Sequence, residues 1–482
     1  MKLVRTGVVL AAATLWIGAL PAVAVSAPTW RIAHIVALPQ GGSSVPDGYL
    51  PGFACASAGN CVVAGDYMDA AGTVNGLIAN EVDGTWKAPA TLAPPSDAAS
   101  TPQVQPSSAS CGSEGNCVVV GSFETGSQDI EPFIGEEVDG KWRGATVASL
   151  PPNAVSEHQI AQLHSVVCTS AGNCSAVGTY AIAAGANTRV EGVELTEVAH
   201  VWHSSELALP AGTNVDPFAN LGQLACSSAG NCVADGEYFD ADNATLGVLV
   251  SEVAGVWQTG VTLTLPGNAS GFADVSLSSI ACAAAGNCAA IGTYETAVGD
   301  LEGLTVNEVQ GHWQRAVEIR MPAGAAASPL VFYYGFAGIS CPSAGNCATG
   351  GQYRDATGDY EGFLLNEANG VWQTATELQL PVGAEMAGKN GGVVALTCPL
   401  AGECSAGAAY VDGYGDYQAY IVSEVDDVWS ASTVVALPTG ATTVGVDGGV
   451  YGVICFAGDR CTASGSYLDA AGDYQGFTLS TG

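Results

Sequence analysis

Apolar and polar positions along this chain either alternate or run unbroken for a few residues. Nowhere do they settle into the 3.6-residue period of a helix. Cys61-Val62-Val63-Ala64-Gly65-Asp66-Tyr67 is one short apolar run, and the polar stretch Asp69-Ala70-Ala71-Gly72 follows it. A second run, Gly76-Leu77-Ile78-Ala79-Asn80-Glu81-Val82, leads into Asp83-Gly84. Another opens near Trp86, and in later copies it closes at a Leu-Pro pair such as Leu150-Pro151. A fourth kind ends on a cysteine, as in Leu277-Ser278-Ser279-Ile280-Ala281-Cys282. β-rich runs bounded by Gly, Asn and Asp predict short strands joined by tight hairpins.

The pattern recurs. All sixteen cysteines fall into Cys-x5-Cys pairs: Cys55/Cys61, Cys111/Cys117, Cys168/Cys174, Cys226/Cys232, Cys282/Cys288, Cys341/Cys347, Cys398/Cys404 and Cys455/Cys461. Successive first members lie 56 to 59 residues apart. A period of this size marks a repeat architecture in which each unit buries its faces against its neighbours. With no cysteine left over, the economical pairing is eight local disulfides, each closing the turn between two strands. A loop this short gains about 2 kcal/mol in the chain-entropy account, enough to brace a hairpin. Gly59, Gly115, Gly172, Gly230, Gly286, Gly345 and Gly402 supply the positive φ such a turn needs. The eighth copy has Asp459 there, so its turn is expected to differ. Zinc is the rival, but zinc sites gather four ligands, usually with two to four residues between cysteines.

Four antiparallel strands per unit, eight times over, predict an all-β fold: an eight-bladed β-propeller. The tryptophans at 86, 142, 202, 257, 313, 372 and 429 each open a fourth strand, and Trp30 stands as an eighth ahead of the first unit. The last unit runs only as far as a third strand. Residues 30–38 are therefore expected to complete the blade begun by 451–482, closing the ring and leaving no free sheet edge. The Glu of each third strand (81, 137, 197, 252, 308, 367, 424) recurs in every complete copy and is expected to satisfy backbone donors.

Residues 1–24 read as a secretory signal, with cleavage after Ala24 or as late as Ala27. Lys2 and Arg5 precede the apolar run Val8 to Leu20, and Ala22-Val23-Ala24 gives the small-residue cut site. Residues 28–482 form the propeller as a single domain. Export agrees with the cysteine usage, since disulfides persist in oxidising compartments. No later stretch is apolar enough for a transmembrane segment.

The formal charge is −34. Loss of Lys2 and Arg5 takes the mature chain to −36. Phosphate neutralisation needs a basic surface, so nucleic acid is excluded as a partner.

Within this frame the repeats resemble the secreted β-propeller repeat proteins of bacteria, and most nearly an actinobacterial class. Its motifs look like Ser-Cys followed by a second Cys, then Gly-x-Tyr, then Glu-x-x-Gly-x-Trp. Here these are Ser340-Cys341 through Cys347, Gly351-Gln352-Tyr353, and Glu367-Ala368-Asn369-Gly370-Val371-Trp372. The resemblance covers nearly the whole mature chain and implies architecture, not activity. Glu81-Val82-Asp83-Gly84-Thr85-Trp86 also looks like a shortened Asp-box, the turn of sialidase-type propellers, though without the leading Ser. That family implies three converging arginines, and the mature chain holds seven in all. Quinone-dependent alcohol dehydrogenases, also eight-bladed, imply adjacent cysteines, and none here are adjacent.

The loops between second and third strands, with the long links from Leu-Pro to the next Cys, are expected to share one face. The cysteine turns and Gly-Trp turns should share the other. The first of these faces has the longer, more variable loops, where binding usually lives. Its turns are acidic: Asp355/Asp359, Asp412/Asp416 and Asp469/Asp473 are each Asp-x-x-x-Asp around a Gly, with Asp240/Asp242 a near relative. Paired carboxylates make these candidate calcium ligands, against the plainer role of turn formers. Phe332, Tyr333, Tyr334 and Phe336, in the link before Cys341, are candidate ligand-binding aromatics. No His-Glu-x-x-His, Gly-x-Ser-x-Gly or phosphate-binding Gly loop occurs, and His158 and His164 read as surface residues. The expectation is a secreted, non-enzymatic module binding an extracellular carbohydrate, peptide or protein on its acidic loop face, with no cofactor. Its alternatives are an extracellular carbohydrate-active hydrolase or lyase using carboxylates at the channel mouth, and a calcium-stapled structural surface protein.

Overall fold

The computed structural model describes residues 30, 34–36, 38–39, 42, 49–184, 187–271, 274–330, 336–381, 384, 391–430, 432–442, 445, 447–457 and 460–481. Residues 1–24, expected as a signal segment, and the eighth cysteine turn at Gly458-Asp459 lie outside them.

Each repeat is an antiparallel sheet with its strands in chain order. In blade 1 the strands are Tyr49–Ser57, Asn60–Met68 and Val74–Val82. The fourth position is two short pieces, Thr85–Trp86 and Ala90–Thr91, both paired to the third strand. The sequence predicts one continuous fourth strand, and among the described residues blade 3 alone shows it, at Val201–Glu206. Elsewhere the strand leaves the ladder after a Lys87 N–H to Asn80 C=O bond of 2.8 Å and rejoins at Leu92 N–H to Gly76 C=O, 2.9 Å. Outermost strands have no partner on one side, so such an interruption strands no ladder bond.

The eight first strands contact one another in sequence and return from blade 8 to blade 1, so they form the inner wall. Second and third strands are sandwiched between blades, which is why their runs are apolar on both faces: Val62, Val63 and Ala64 are wholly buried. An aromatic near the end of each second strand fills the space towards the rim, Phe123 in blade 2 and a tyrosine in the others, such as Tyr180, Tyr294 and Tyr353.

The ring closes as the repeat count requires. His34 pairs with Thr478 and Ile35 with Phe477, while Trp30 bridges Thr481. The indole of Trp30 packs on the blade 8 core.

All eight disulfides form within their own motifs: Cys55–Cys61, Cys111–Cys117, Cys168–Cys174, Cys226–Cys232, Cys282–Cys288, Cys341–Cys347, Cys398–Cys404 and Cys455–Cys461. No cysteine is free. Each disulfide braces its own hairpin as expected, and the burial of the second cysteine adds a further role. Cys174, Cys404 and Cys461 are buried core residues rather than surface turn residues, each only 5% exposed. Cys174 packs in the apolar cluster shared by blades 2 and 3, Cys404 in that of blades 6 and 7, and Cys461 in that of blades 7 and 8. The reason is position. The second cysteine of each motif opens the second strand, and that strand is covered by a blade on either side. The bridge therefore contributes to packing between blades as well as closing its own turn.

In blades 1 to 7 the two hairpin turns sit side by side. Gly59 has φ +79°, and Asp83 and Gly84 have φ +49° and +72°, the paired positive values of a type I′ turn. Gly84 N–H donates to Gly59 C=O at 2.9 Å. A Cβ on Gly59 would stand 2.8 Å from Gly84 N, so close approach as well as φ requires glycine there. On the opposite face each long link touches the next blade's loop, as in the bridge Ala98↔Thr125 and the Glu124 N–H to Pro102 C=O bond of 2.6 Å.

Candidate functional site

The loop face is built on acidic turns. In each, the first Asp folds the loop back on itself: Asp412 Oδ1 accepts from Tyr414 N–H at 2.8 Å and from Asp416 N–H at 3.1 Å. Asp469 does the same with Ala471 and Asp473, and Asp355 with Thr357 and Asp359. Asp240 matches them, with Asp242 and Ala244 as donors. The backbone bond from Asp473 holds the Asp469 carboxyl below the usual carboxylate range, and the Thr357 hydroxyl does so for Asp355. Hydrogen bonds to the charged form favour it.

These loops fit calcium poorly. The ion takes six to eight oxygens. Each loop offers two carboxylates, one already engaged by two amides, and no group of three or more His, Cys, Asp or Glu side chains converges among the described residues.

What the loops do present is tyrosine. The first residue of the third strand is Tyr360, Tyr417 and Tyr474 in blades 6, 7 and 8, directly after the second Asp of each turn. Blades 1, 2 and 5 carry Val74, Ile130 and Leu301 there. Tyr414, at the tip of the blade 7 loop, is 93% exposed, and Tyr417, Tyr451 and Tyr474 are also exposed. Tyr474 Oη donates to Asp447 Oδ2, and Tyr417 bridges Asp447 along the backbone. The Asp447 bond, helped by partial burial, pushes the Tyr474 hydroxyl up to about 12. One arc of the face therefore alternates aromatic rings with carboxylates. Sequence reasoning misses these tyrosines, although the Asp-Tyr pair at 359–360, 416–417 and 473–474 repeats visibly.

Of the four aromatics singled out before Cys341, Phe332, Tyr333 and Tyr334 lie outside the described residues. Phe336 packs inward, edge-on to Phe363 at 5.9 Å between ring centroids. His164 turns to blade 4, its Nδ1 2.7 Å from Leu221 C=O.

On the opposite face the recurring glutamates are buried between blades, and the partners of Glu137, Glu252, Glu367 and Glu424 are side chains rather than the expected backbone donors. Asn80 Nδ2 donates to Glu137 Oε1 at 2.5 Å, Asn366 Nδ2 to Glu424 Oε1 at 2.6 Å, and Thr196 Oγ1 to Glu252 Oε1 at 2.6 Å. Burial raises the carboxyls at 81, 137, 308, 367 and 424, and lifts Glu197 to about 7. Blade 8 has Thr481 at this position, bridged to Trp30. Burial takes Glu194 to about 8, and the nearby Glu252 adds to the rise. Both are sealed between blades 3 and 4, at 1% and 2% exposure, out of a substrate's reach.

Fold and site together define an eight-bladed β-propeller with a tyrosine-and-aspartate loop face. No protein-family model and no curated protein matches the chain. Among solved structures it is similar to an ulvan lyase, a polysaccharide lyase (10% identity, TM-score 0.42, covering 76% of this chain and 90% of that one). It is also similar to a protein of unknown function from Dyadobacter fermentans (12%, 0.40, 94% and 99%). A third is the α-L-arabinofuranosidase of Fusarium graminearum solved with arabinobiose (12%, 0.30, 64% and 89%). Likeness at this level says nothing of what this chain binds.

Proposed function

We propose that this is a secreted, non-enzymatic propeller, residues 28–482, that binds a neutral or cationic extracellular carbohydrate or peptide on the loop face of blades 6–8. One observation carries the reading: Tyr414, Tyr417, Tyr451 and Tyr474 stand exposed on one arc beside Asp416, Asp447 and Asp473. Exposed rings offer flat apolar area with a polar tip, which suits sugar faces and peptide side chains. The flanking carboxylates accept hydroxyl or ammonium protons. A chain of net charge −34 repels anionic polymers, which narrows the partner to neutral or basic chemistry. The basic, apolar and small-residue order of residues 1–24 and the eight disulfides support export.

Screening the mature protein against neutral glycans, amino-sugar oligomers and basic peptides tests the proposal, with calorimetry on any hit. The double variant Tyr414→Ala/Tyr417→Ala is expected to weaken a hit at least about tenfold, which is the ~1.4 kcal/mol that one lost aromatic contact commonly supplies. A hit that binds the double variant as tightly as the parent, or a screen without hits, would retire this face as the binding surface.

A further inference from the structure

At several junctions one side chain links a blade to the next in the same way. It belongs to the residue just before the recurring Glu. Between blades 1 and 2, Asn80 Oδ1 accepts from Trp142 Nε1 at 2.8 Å while its Nδ2 donates to Glu137. Between blades 5 and 6, Asn307 repeats this with Trp372 Nε1 at 3.0 Å and with Glu367. Between blades 3 and 4 the Thr196 hydroxyl does both tasks, for Trp257 at 3.1 Å and Glu252 at 2.6 Å. In each case one group takes the indole proton and gives a proton to the carboxylate.

Between blades 4 and 5 that group is missing. The register puts Ser251 opposite Val233, where blade 1 puts Asn80 opposite Val62. Ser251 carries a hydroxyl with the reach of Thr196, yet no hydrogen bond runs from it to Trp313 or Glu308. Trp313 Nε1 is buried there without a hydrogen-bond partner among the described residues, and so is Glu308 Oε2, as Glu137 Oε2 is between blades 1 and 2. Glu308 is only 6% exposed. Burying an indole N–H and a carboxyl oxygen unpaired costs about 1–3 kcal/mol each. Trp313 and Glu308 are among the residues that line an open cleft of about 450 Å³, together with Ser251, Asn231, Gln258 and Gln310. That volume lies within the ~300–1,000 Å³ typical of small-ligand clefts.

We propose that this cleft is a binding site for an amide group supplied from outside the chain. The amide oxygen accepts from Trp313 Nε1 and its N–H donates to Glu308, reproducing what the Asn80 and Asn307 carboxamides do internally. Two ligand sources carry this chemistry: the acetamido group of an N-acetylated sugar and the side-chain carboxamide of a glutamine or asparagine in a peptide. The site lies on the cysteine-turn face and is independent of the tyrosine arc. The cleft between blades 1 and 2 is of similar size, about 510 Å³, but its indole is already engaged by Asn80. It serves as an internal control.

The indole N–H proton resonances of the mature protein report the binding, with the Trp313 signal identified as the one missing from Trp313→Phe. N-acetylglucosamine or the tripeptide Gly-Gln-Gly is expected to move the Trp313 signal downfield to saturation and to leave Trp142 in place. Whichever probe acts names the source, and glucosamine without its acetyl group should not act. Ser251→Asn supplies the amide from within, so its Trp313 signal should start shifted and ignore both probes. Ser251→Ala keeps the gap and should still respond, which separates a filled site from a misfolded one. A Trp313 signal that ignores both probes in the parent, with water alone between the two groups, overturns the proposal. So does an undiminished response in Ser251→Asn.

Discussion

Trp142 Nε1 donates to Asn80 Oδ1 across 2.8 Å, from blade 2 back to blade 1. The same asparagine holds Glu137, itself almost wholly buried. Neither the tryptophan nor the glutamate has this partner inside its own repeat. Inter-blade cohesion on the cysteine-turn face thus rests on a short polar relay set into otherwise apolar blade contacts, and the relay differs from junction to junction.

Asn80→Ala should cost about 1–3 kcal/mol, because it leaves the Trp142 indole and a Glu137 oxygen without partners. Urea denaturation of variant and parent measures this. A midpoint equal to the parent's would mean that the relay adds nothing beyond apolar packing.

Ring closure depends on His34 and Ile35 pairing with Thr478 and Phe477. A mature chain shortened to begin at residue 41 should melt lower and self-associate, since the strand Tyr474–Ser480 would then present an unpaired edge. Light scattering and calorimetry report both effects. A monomer of parental melting temperature would show that the ring does not need this strand.

Acidification from about pH 8 to pH 5 should stabilise the fold. Burial raises Asp235 to about 7, well above its ordinary 3.8, with Gln223 N–H as its hydrogen-bond donor. Burial likewise takes Glu194 to about 8 and Glu197 to about 7. The folded state then binds more protons than the unfolded one between roughly pH 4 and 8, so stability rises as pH falls through that window. Below it, Asp355 and Asp469, whose folded values are depressed, lose their loop bonds on protonation and stability falls again. Melting temperature against pH should peak on the acidic side of neutrality. Asp235→Asn should flatten the rise by a few kcal/mol, at about 1.4 kcal/mol per unit. A maximum at pH 7 or above in the parent would refute this.

The second residue of each Gly-Trp turn has positive φ, and in blade 7 it is Asp427, at φ +61°. Asp427→Gly should stabilise by about 0.5–1 kcal/mol through relief of that conformation. Gly84→Asp, at φ +72°, should lose a comparable amount. Opposite signs in thermal melts are the expected result, and equal signs would place the energetics in side-chain contacts instead.

Much of the fold was legible because its information is local. Cys55 and Cys61 pair across one hairpin, Gly59 sits in the turn, and Asp83-Gly84 makes the next. Spacing alone reveals such features. It does not reveal that Cys174, Cys404 and Cys461 end up buried between blades, because burial depends on the neighbouring sheet. The break in the fourth strand was not legible either, since Gln314 to Ala316, where blade 5 breaks, look no different from strand residues until the outer edge is seen to lack a neighbour. The candidate site was half legible. The Asp-x-x-x-Asp loops were visible, but the tyrosines after them read as ordinary strand formers.

By itself, then, the sequence determined the number of units, their internal pairing and the need for the first strand to finish the last blade, because a repeat with one strand missing leaves an edge that only the other end can fill. Tertiary structure decided who meets whom between units. Glu137 finds Asn80, Glu252 finds Thr196, and Glu308 Oε2 is left without a hydrogen-bond partner among the described residues. The physical reason is distance along the chain. Contacts within a hairpin are fixed by turn geometry over a handful of residues. Contacts between blades join positions more than fifty residues apart, and their pairing depends on how two closed sheets pack rather than on any pattern within one.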